Sequence, residues 1–113
     1  MPSHKILLAL LAGVAGGLAV KNAVVFSEMS CGGRQQDVEP NGRCTLLKSG
    51  MRERVQGAIV PTDVVCDFYS DESCSAPLWI GMEEPGSCNF AELGIENRAV
   101  TILCYDDNRF GEM

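Results

Sequence analysis

Six cysteines, Cys31, Cys44, Cys66, Cys74, Cys88 and Cys104, are crowded into a short acidic chain. An even number of cysteines in a chain of this length reads as a disulfide framework, because a domain so small buries too little apolar surface to be stable without staples. Zinc ligation is the competing use of such residues. It is disfavoured here, since there is no Cys-x-x-Cys pair and the sole histidine, His4, lies in an N-terminal apolar stretch.

That stretch sets the expected compartment. His4 and Lys5 precede an apolar run from Ile6 to Val20, and Gly17-Leu18-Ala19 places small residues where a signal peptidase cuts. The run falls short of the ~20 apolar residues that cross a bilayer and is closed by Lys21. The expectation is a signal peptide over residues 1–19, cleaved after Ala19, and a secreted, extracellular mature chain from Val20 to Met113 forming one domain.

The cysteines also mark an internal duplication. Phe26 aligns with Tyr69, Cys31 with Cys74 and Gly33 with Ala76 at one offset. One inserted residue later, Gly42 aligns with Gly86, Cys44 with Cys88, Gly50 with Gly94, Arg54 with Arg98 and Val60 with Cys104. Motif one spans 20–60, motif two spans 64–105, and a short tail follows over 106–113. Each copy opens on a β-branched and aromatic run (Ala23 to Phe26; Val64 to Tyr69) and turns through small and acidic residues. Each then passes the segment of its second aligned cysteine (Arg43 to Leu47; Ser87 to Phe90) and closes on another apolar run (Val55 to Val60; Ala99 to Tyr105). Such composition favours strands. Only Thr45 to Glu53 and Phe90 to Asn97 suit a helical turn. The expected fold class is all-β, a small disulfide-stapled antiparallel β-sandwich of two four-strand units.

Cys66 and Cys104 have no counterpart in motif one, where Ala23 and Val60 stand. A cysteine pair present in one copy and missing from the other is what a bonded pair leaves behind, so Cys66 is expected to bond Cys104. The simplest equivalent links for the rest are Cys31 with Cys44 and Cys74 with Cys88. Cross-copy pairing of those four stays open, since six cysteines allow about 15 connectivities.

At this point the residues resemble the βγ-crystallin Greek-key motif, in which an aromatic residue is followed at fixed spacing by a second aromatic and a glycine. Phe26, Cys31 and Gly33, and Tyr69, Cys74 and Ala76, fit that frame with cysteine in the second aromatic's place. The segments Cys66 to Cys74 and Gly86-Ser87-Cys88 are similar to those of small cysteine-rich secreted fungal and bacterial proteins of this kind. The resemblance implies a folded hairpin in each copy, where Gly33 supplies a positive φ and Ala76 would be less comfortable. It also implies calcium loops, at Arg52 to Gly57 and Glu96 to Thr101. Neither window has Ser or Thr at its fifth position, and the first puts two arginines beside the ion. No cofactor is therefore expected, and calcium candidates reduce to Glu96, Asn97 and Thr101.

Charge and composition narrow the function classes. The formal charge is −6. From Gly57 onward only Arg98 and Arg109 face the carboxylates of Asp63, Asp67, Asp71, Glu72, Glu83, Glu84, Glu92, Glu96, Asp106, Asp107 and Glu112, so nucleic acid and anionic membrane surfaces are not expected partners. No enzyme is expected: the mature chain has no histidine, no Gly-x-Ser-x-Gly elbow and no free thiol. The acidic pairs Asp71-Glu72, Glu83-Glu84 and Asp106-Asp107 read as solvated loop faces. Trp79, the one tryptophan, is expected in the core; exposed beside Ile80 it would instead form a contact hot spot. The reading is a non-catalytic extracellular interaction protein, effector-like, directed at an extracellular protein or cell-surface target. A killer-type or antimicrobial toxin is the alternative, and a calcium-stabilised structural module a third.

Overall fold

Alternation along the first strand shows how this chain divides inside from outside. In β1 (Ala23–Glu28) Ala23 and Val25 are buried while Val24 is half-exposed, the period-two signature of a strand with one dry face. The computed structural model describes residues 21–107; the expected leader and the end of the tail lie outside them. After β1 come β2 (Gly32–Val38), β3 (Asn41–Leu46), β4 (Gly57–Ile59), β5 (Val64–Tyr69), β6 (Pro77–Met82), β7 (Gly86–Ser87), the single-turn helix α1 (Phe90–Leu93) and β8 (Thr101–Asp106).

The strands form two antiparallel four-stranded sheets, ordered β2-β1-β4-β7 and β3-β8-β5-β6. The second order, reversed, is the first with four added to each label or, for β7, subtracted. The duplication is thus a pseudo-two-fold in space: each sheet takes three strands from one copy and the third strand of the other. Greek-key connectivity of this kind closes two half-cores into one. Val25, Val38, Ala58 and Val60 from motif one meet Val64, Phe68, Phe90 and Ile102 from motif two, all nearly inaccessible. At the centre the Phe68 and Phe90 rings meet edge to face, centroids 5.3 Å apart, a geometry that aligns ring edge with ring face.

All six cysteines are bonded. Cys66 and Cys104 are bonded directly across the β5–β8 pairing, on the buried face. The within-copy links for the other four are overturned: Cys31 bonds Cys88 and Cys44 bonds Cys74. The crossed third strands are the reason. β3 leaves motif one to pair with β8, carrying Cys44 toward the β5–β6 hairpin and Cys74. β7 leaves motif two to pair with β4, bringing Cys88 to the β1–β2 hairpin and Cys31. The two bonds are therefore counterparts under the pseudo-two-fold.

Glycine marks two tight places. Gly33 has φ +74°, as a folded hairpin there requires, and an added Cβ would lie 2.6 Å from both the Ser27 Oγ and the Glu28 Cγ. Gly86 has φ +91°, and its added Cβ would stand 2.3 Å from the Ala58 carbonyl oxygen, so β7 can approach β4 only without a side chain. The second hairpin turns without a glycine at the position of Gly33. Ala76 escapes positive φ, which falls instead on Cys74, and the Asp71 carboxylate ties the turn by accepting hydrogen bonds from the backbone N–H groups of Ser75 and Ala76 and from both the Ser73 and Ser75 hydroxyls. Of the two helical windows, Phe90 to Asn97 contains α1, closed by Gly94 in the left-handed conformation. Thr45 to Glu53 contains strand and turns only.

Candidate functional site

Two regions of the surface carry chemistry that the fold does not need. The first is the outer edge of the second sheet. β6 is its last strand, begins with Pro77, and pairs with β5 through irregular register on both sides of Phe68. Gly81, at φ +81°, lets the strand bend there, and its N–H donates to the Asp67 Oδ1 at 2.7 Å. Trp79, expected in the core, is 37% exposed, and Ile80 beside it is 57% exposed. Phe68, opposite Trp79 in register, and Phe90 already fill the interior at this level, and among the described residues no further strand covers β6.

The neighbouring surface is aromatic and acidic. Tyr69 and Tyr105 are half-buried. Partial burial, then Asp67, Asp107 and Glu83, raises the Tyr105 phenol above its ordinary value; Tyr69 is raised by burial, then by Asp67 and Asp71. The acidic pairs do not behave alike. Glu83, Glu84, Glu72 and Asp107 are exposed. Asp71 is a structural group whose hydrogen bonds, led by that from the Ser75 hydroxyl, hold its carboxyl far below the usual carboxylate range.

The second region is an open polar groove of about 930 Å³ at the loops following β3 and the β1–β2 hairpin. Arg34, Arg52 and Arg54 line it with Glu28, Glu53, Gln56 and Asn97. The loops that form it are locked to one another by backbone bonds: the Glu53 N–H donates to the Ala99 carbonyl and the Asn97 N–H to the Val55 carbonyl. Glu53 and Asn97, equivalent in the repeat, both have positive φ. The Arg52 Nε donates to the Leu47 carbonyl at 2.8 Å.

This geometry separates the calcium candidates. Asn97 lines the groove beside the first window, while Glu96 is exposed and does not line it. Thr101 is buried, its hydroxyl donating to the Asp71 carbonyl at 2.8 Å and packed 3.2 Å from the Cys74 sulfur. That last contact is not a hydrogen bond from sulfur, since a bonded cysteine has no proton to give. Among the described residues no three His, Cys, Asp or Glu side chains converge on a metal position. A calcium ion needs a shell of hard oxygens, and the residues present do not fit one: the Thr101 hydroxyl is turned inward and three guanidinium groups share the groove beside Asn97.

No catalytic grouping emerges among the described residues, which contain no histidine and whose cysteines are all oxidised. The buried Asn89 Oδ1 has no hydrogen-bond partner; in sequence it stands between the bonded Cys88 and the buried Phe90, and it does not line the groove. The edge carries Trp79 and Ile80, the pair that the sequence offers as a contact hot spot if exposed; no motif marks the groove. The groove's signal was present as arginines at 34 and 52 where the other copy has Pro77 and Glu96.

No protein-family model matches the chain, and no curated protein sequence matches it. Solved structures do match. A domain described in work on the evolution of the eye-lens βγ-crystallin domain fold superposes with a TM-score of 0.66 at 12% identity, covering 78% of this chain and 88% of that one. The N-terminal domain of Protein S gives 0.61 at 19% identity over 75% of this chain and 96% of its own. A βγ-crystallin domain from Clostridium beijerinckii gives 0.59 at 11% identity, covering 76% and 99%. At these identities the likeness is one of fold: this chain is an all-β sandwich of βγ-crystallin type, stapled by three disulfides.

Proposed function

We propose that the chain is a secreted, non-catalytic binding module that engages an extracellular protein or cell-surface target through the β6 edge of its second sheet. The observation that carries this reading is Trp79 and Ile80, consecutive and both exposed on β6, whose outer edge has no strand partner among the described residues. A tryptophan with an aliphatic neighbour is the kind of anchor that concentrates binding energy, and an open edge offers main-chain groups to a partner strand. The exposed acids Glu83, Glu84 and Asp107, just past the ends of β6 and β8 in the same sheet, favour a partner with a basic rim. Three disulfides suit an oxidising compartment, and the apolar leader supports export. Within this reading the module serves a microbe as an effector-like protein.

The test uses the oxidised, fluorescently labelled protein and its Ile80→Asp variant on yeast, bacterial and host cells, following surface binding, growth and dye uptake. Saturable binding to one cell type, lost in Ile80→Asp while the unfolding midpoint stays the same, supports the edge. Equal binding by both proteins, or by neither, rejects it. Growth arrest with dye uptake makes the target a cell the module kills, which is the toxin form of the reading.

A further inference from the structure

We propose that the groove between the β1–β2 hairpin and the loop after β3 is an anion site that takes the carboxylate of an acidic sugar residue, in the place where the fold's calcium loop would stand. It lies on different elements from the β6 edge and does not depend on the function proposed there.

Three observations point to a ligand. First, among the described residues neither the Arg34 nor the Arg54 guanidinium has a hydrogen-bond or ion-pair partner, although the chain carries 15 carboxylates. Their charges are turned to the groove and not spent on the fold. Second, the arginines reach one cleft from different elements. The Arg34 Nη1 lies against Gly50, 2.6 Å from where a Cβ would stand, which carries this guanidinium from β2 to the loop after β3. The Arg34 backbone N–H is fixed by the Ser27 Oγ, and the Arg52 Nε by the Leu47 carbonyl, which leaves the outer nitrogens of Arg52 to donate. Third, the other copy supplies an internal control. Pro77 and Glu96 occupy the positions of Arg34 and Arg52 in motif two. The equivalent loop is built there without arginine at those two positions, while Arg54 has its counterpart in Arg98, so the fold does not demand Arg34 or Arg52.

The rest of the lining selects among anions. Guanidinium forks match a planar carboxylate in two parallel bonds. Glu28, Glu53 and Gln56 stand in the same groove. The two carboxylates repel a dense dianion such as phosphate, but they accept hydrogen bonds from hydroxyl groups, as the Gln56 amide also does. A ligand with one carboxylate and several hydroxyls satisfies both sets, and a uronic acid residue is such a ligand. The volume, about 930 Å³, falls in the range that holds small ligands, and its openness at the surface lets a chain of such sugars continue in both directions.

The experiment titrates the full oxidised protein with trigalacturonate, maltotriose and inorganic sulfate, reading arginine side-chain N–H signals by NMR alongside calorimetry. Trigalacturonate is expected to shift the Arg34 and Arg54 signals and bind saturably, maltotriose not to bind, and sulfate to bind at least about tenfold more weakly. The double variant Arg34→Gln with Arg54→Gln is expected to lose about tenfold or more in affinity at an unchanged unfolding midpoint, whereas Arg98→Gln, the motif-two counterpart of Arg54, keeps it. Binding by maltotriose as tight as by trigalacturonate, sulfate binding as tight as either, or a double variant that binds like the parent would each overturn the assignment.

Discussion

If the crossed third strands dictate the disulfides, substituting cysteines two at a time gives opposite results for two superficially similar pairs. Cys31→Ser with Cys88→Ser removes one bridge and leaves every remaining cysteine its partner. The bridge spans 57 residues, for which the chain-entropy relation gives about 4 kcal/mol at room temperature. For a domain this size each kcal/mol moves the melting midpoint by about 4–8 °C, so a drop on the order of 20 °C is expected. Cys31→Ser with Cys44→Ser instead breaks two bridges and strands Cys74 and Cys88 as thiols on opposite sheets. Thiol titration in denaturant should find none in the first variant and a pair in the second, and the second should melt lower. A tryptic digest of the unreduced parent should keep the peptides of Cys31, Cys44 and Cys104 all attached to the one that holds Cys66, Cys74 and Cys88. A second variant with no free thiol and the higher midpoint would refute the strand exchange as the cause of the pairing.

Other expectations follow from single positions. Phe68→Ala empties a fully buried site and removes the edge-to-face contact with Phe90, and urea unfolding should show a loss of about 3–5 kcal/mol. Gly86→Ala drives a Cβ into the Ala58 carbonyl at positive φ; a loss of about 2–4 kcal/mol is expected, with faster amide exchange in β4 and β7. Asp71 has its folded-state pKa depressed below the ordinary 3.8 by the hydrogen bonds of its hairpin. Its contribution is therefore full above that value and is lost as the pH falls below it. The melting difference between the parent and Asp71→Asn should be widest near neutrality and shrink on acidification; a difference independent of pH would show that the carboxylate charge is not what the turn uses.

Much of the architecture was legible because strand chemistry is local. Val64 to Tyr69 is a β-branched and aromatic run and forms β5 over that same range, and Ala23 to Phe26 and Ala99 to Tyr105 lie in or around β1 and β8. β2 was silent. Gly32-Gly33-Arg34-Gln35-Gln36-Asp37-Val38 is an edge strand with water on one face, and only Gln36 and Val38 turn inward, too little apolar signal to read as a strand. β6 was obscured by Pro77 and Gly81 in the same way. The two outer disulfides are unreadable for a different reason: spacing along one copy does not say that its third strand belongs to the other copy's sheet. A lone tryptophan reads as a core residue, but the interior there is already filled by Phe68 and Phe90. The groove has no local signature because Arg34 is distant in sequence from Arg52 and Arg54, and only the folded hairpin brings them together.

The exchange of third strands has a further consequence for the halves themselves. A lone motif one would hold Cys31 and Cys44 on elements that belong to different sheets, and a lone motif two would hold Cys74 and Cys88 likewise. Neither half can close its outer bridge alone, yet two halves brought together close both. A single-motif precursor bearing that cysteine pair would have been an obligate dimer, welded by two bonds between its chains. Joining the genes end to end would turn that covalent dimer into a monomer without moving a sulfur atom. Cys66 and Cys104, confined to one motif, are then the one link that this history does not require.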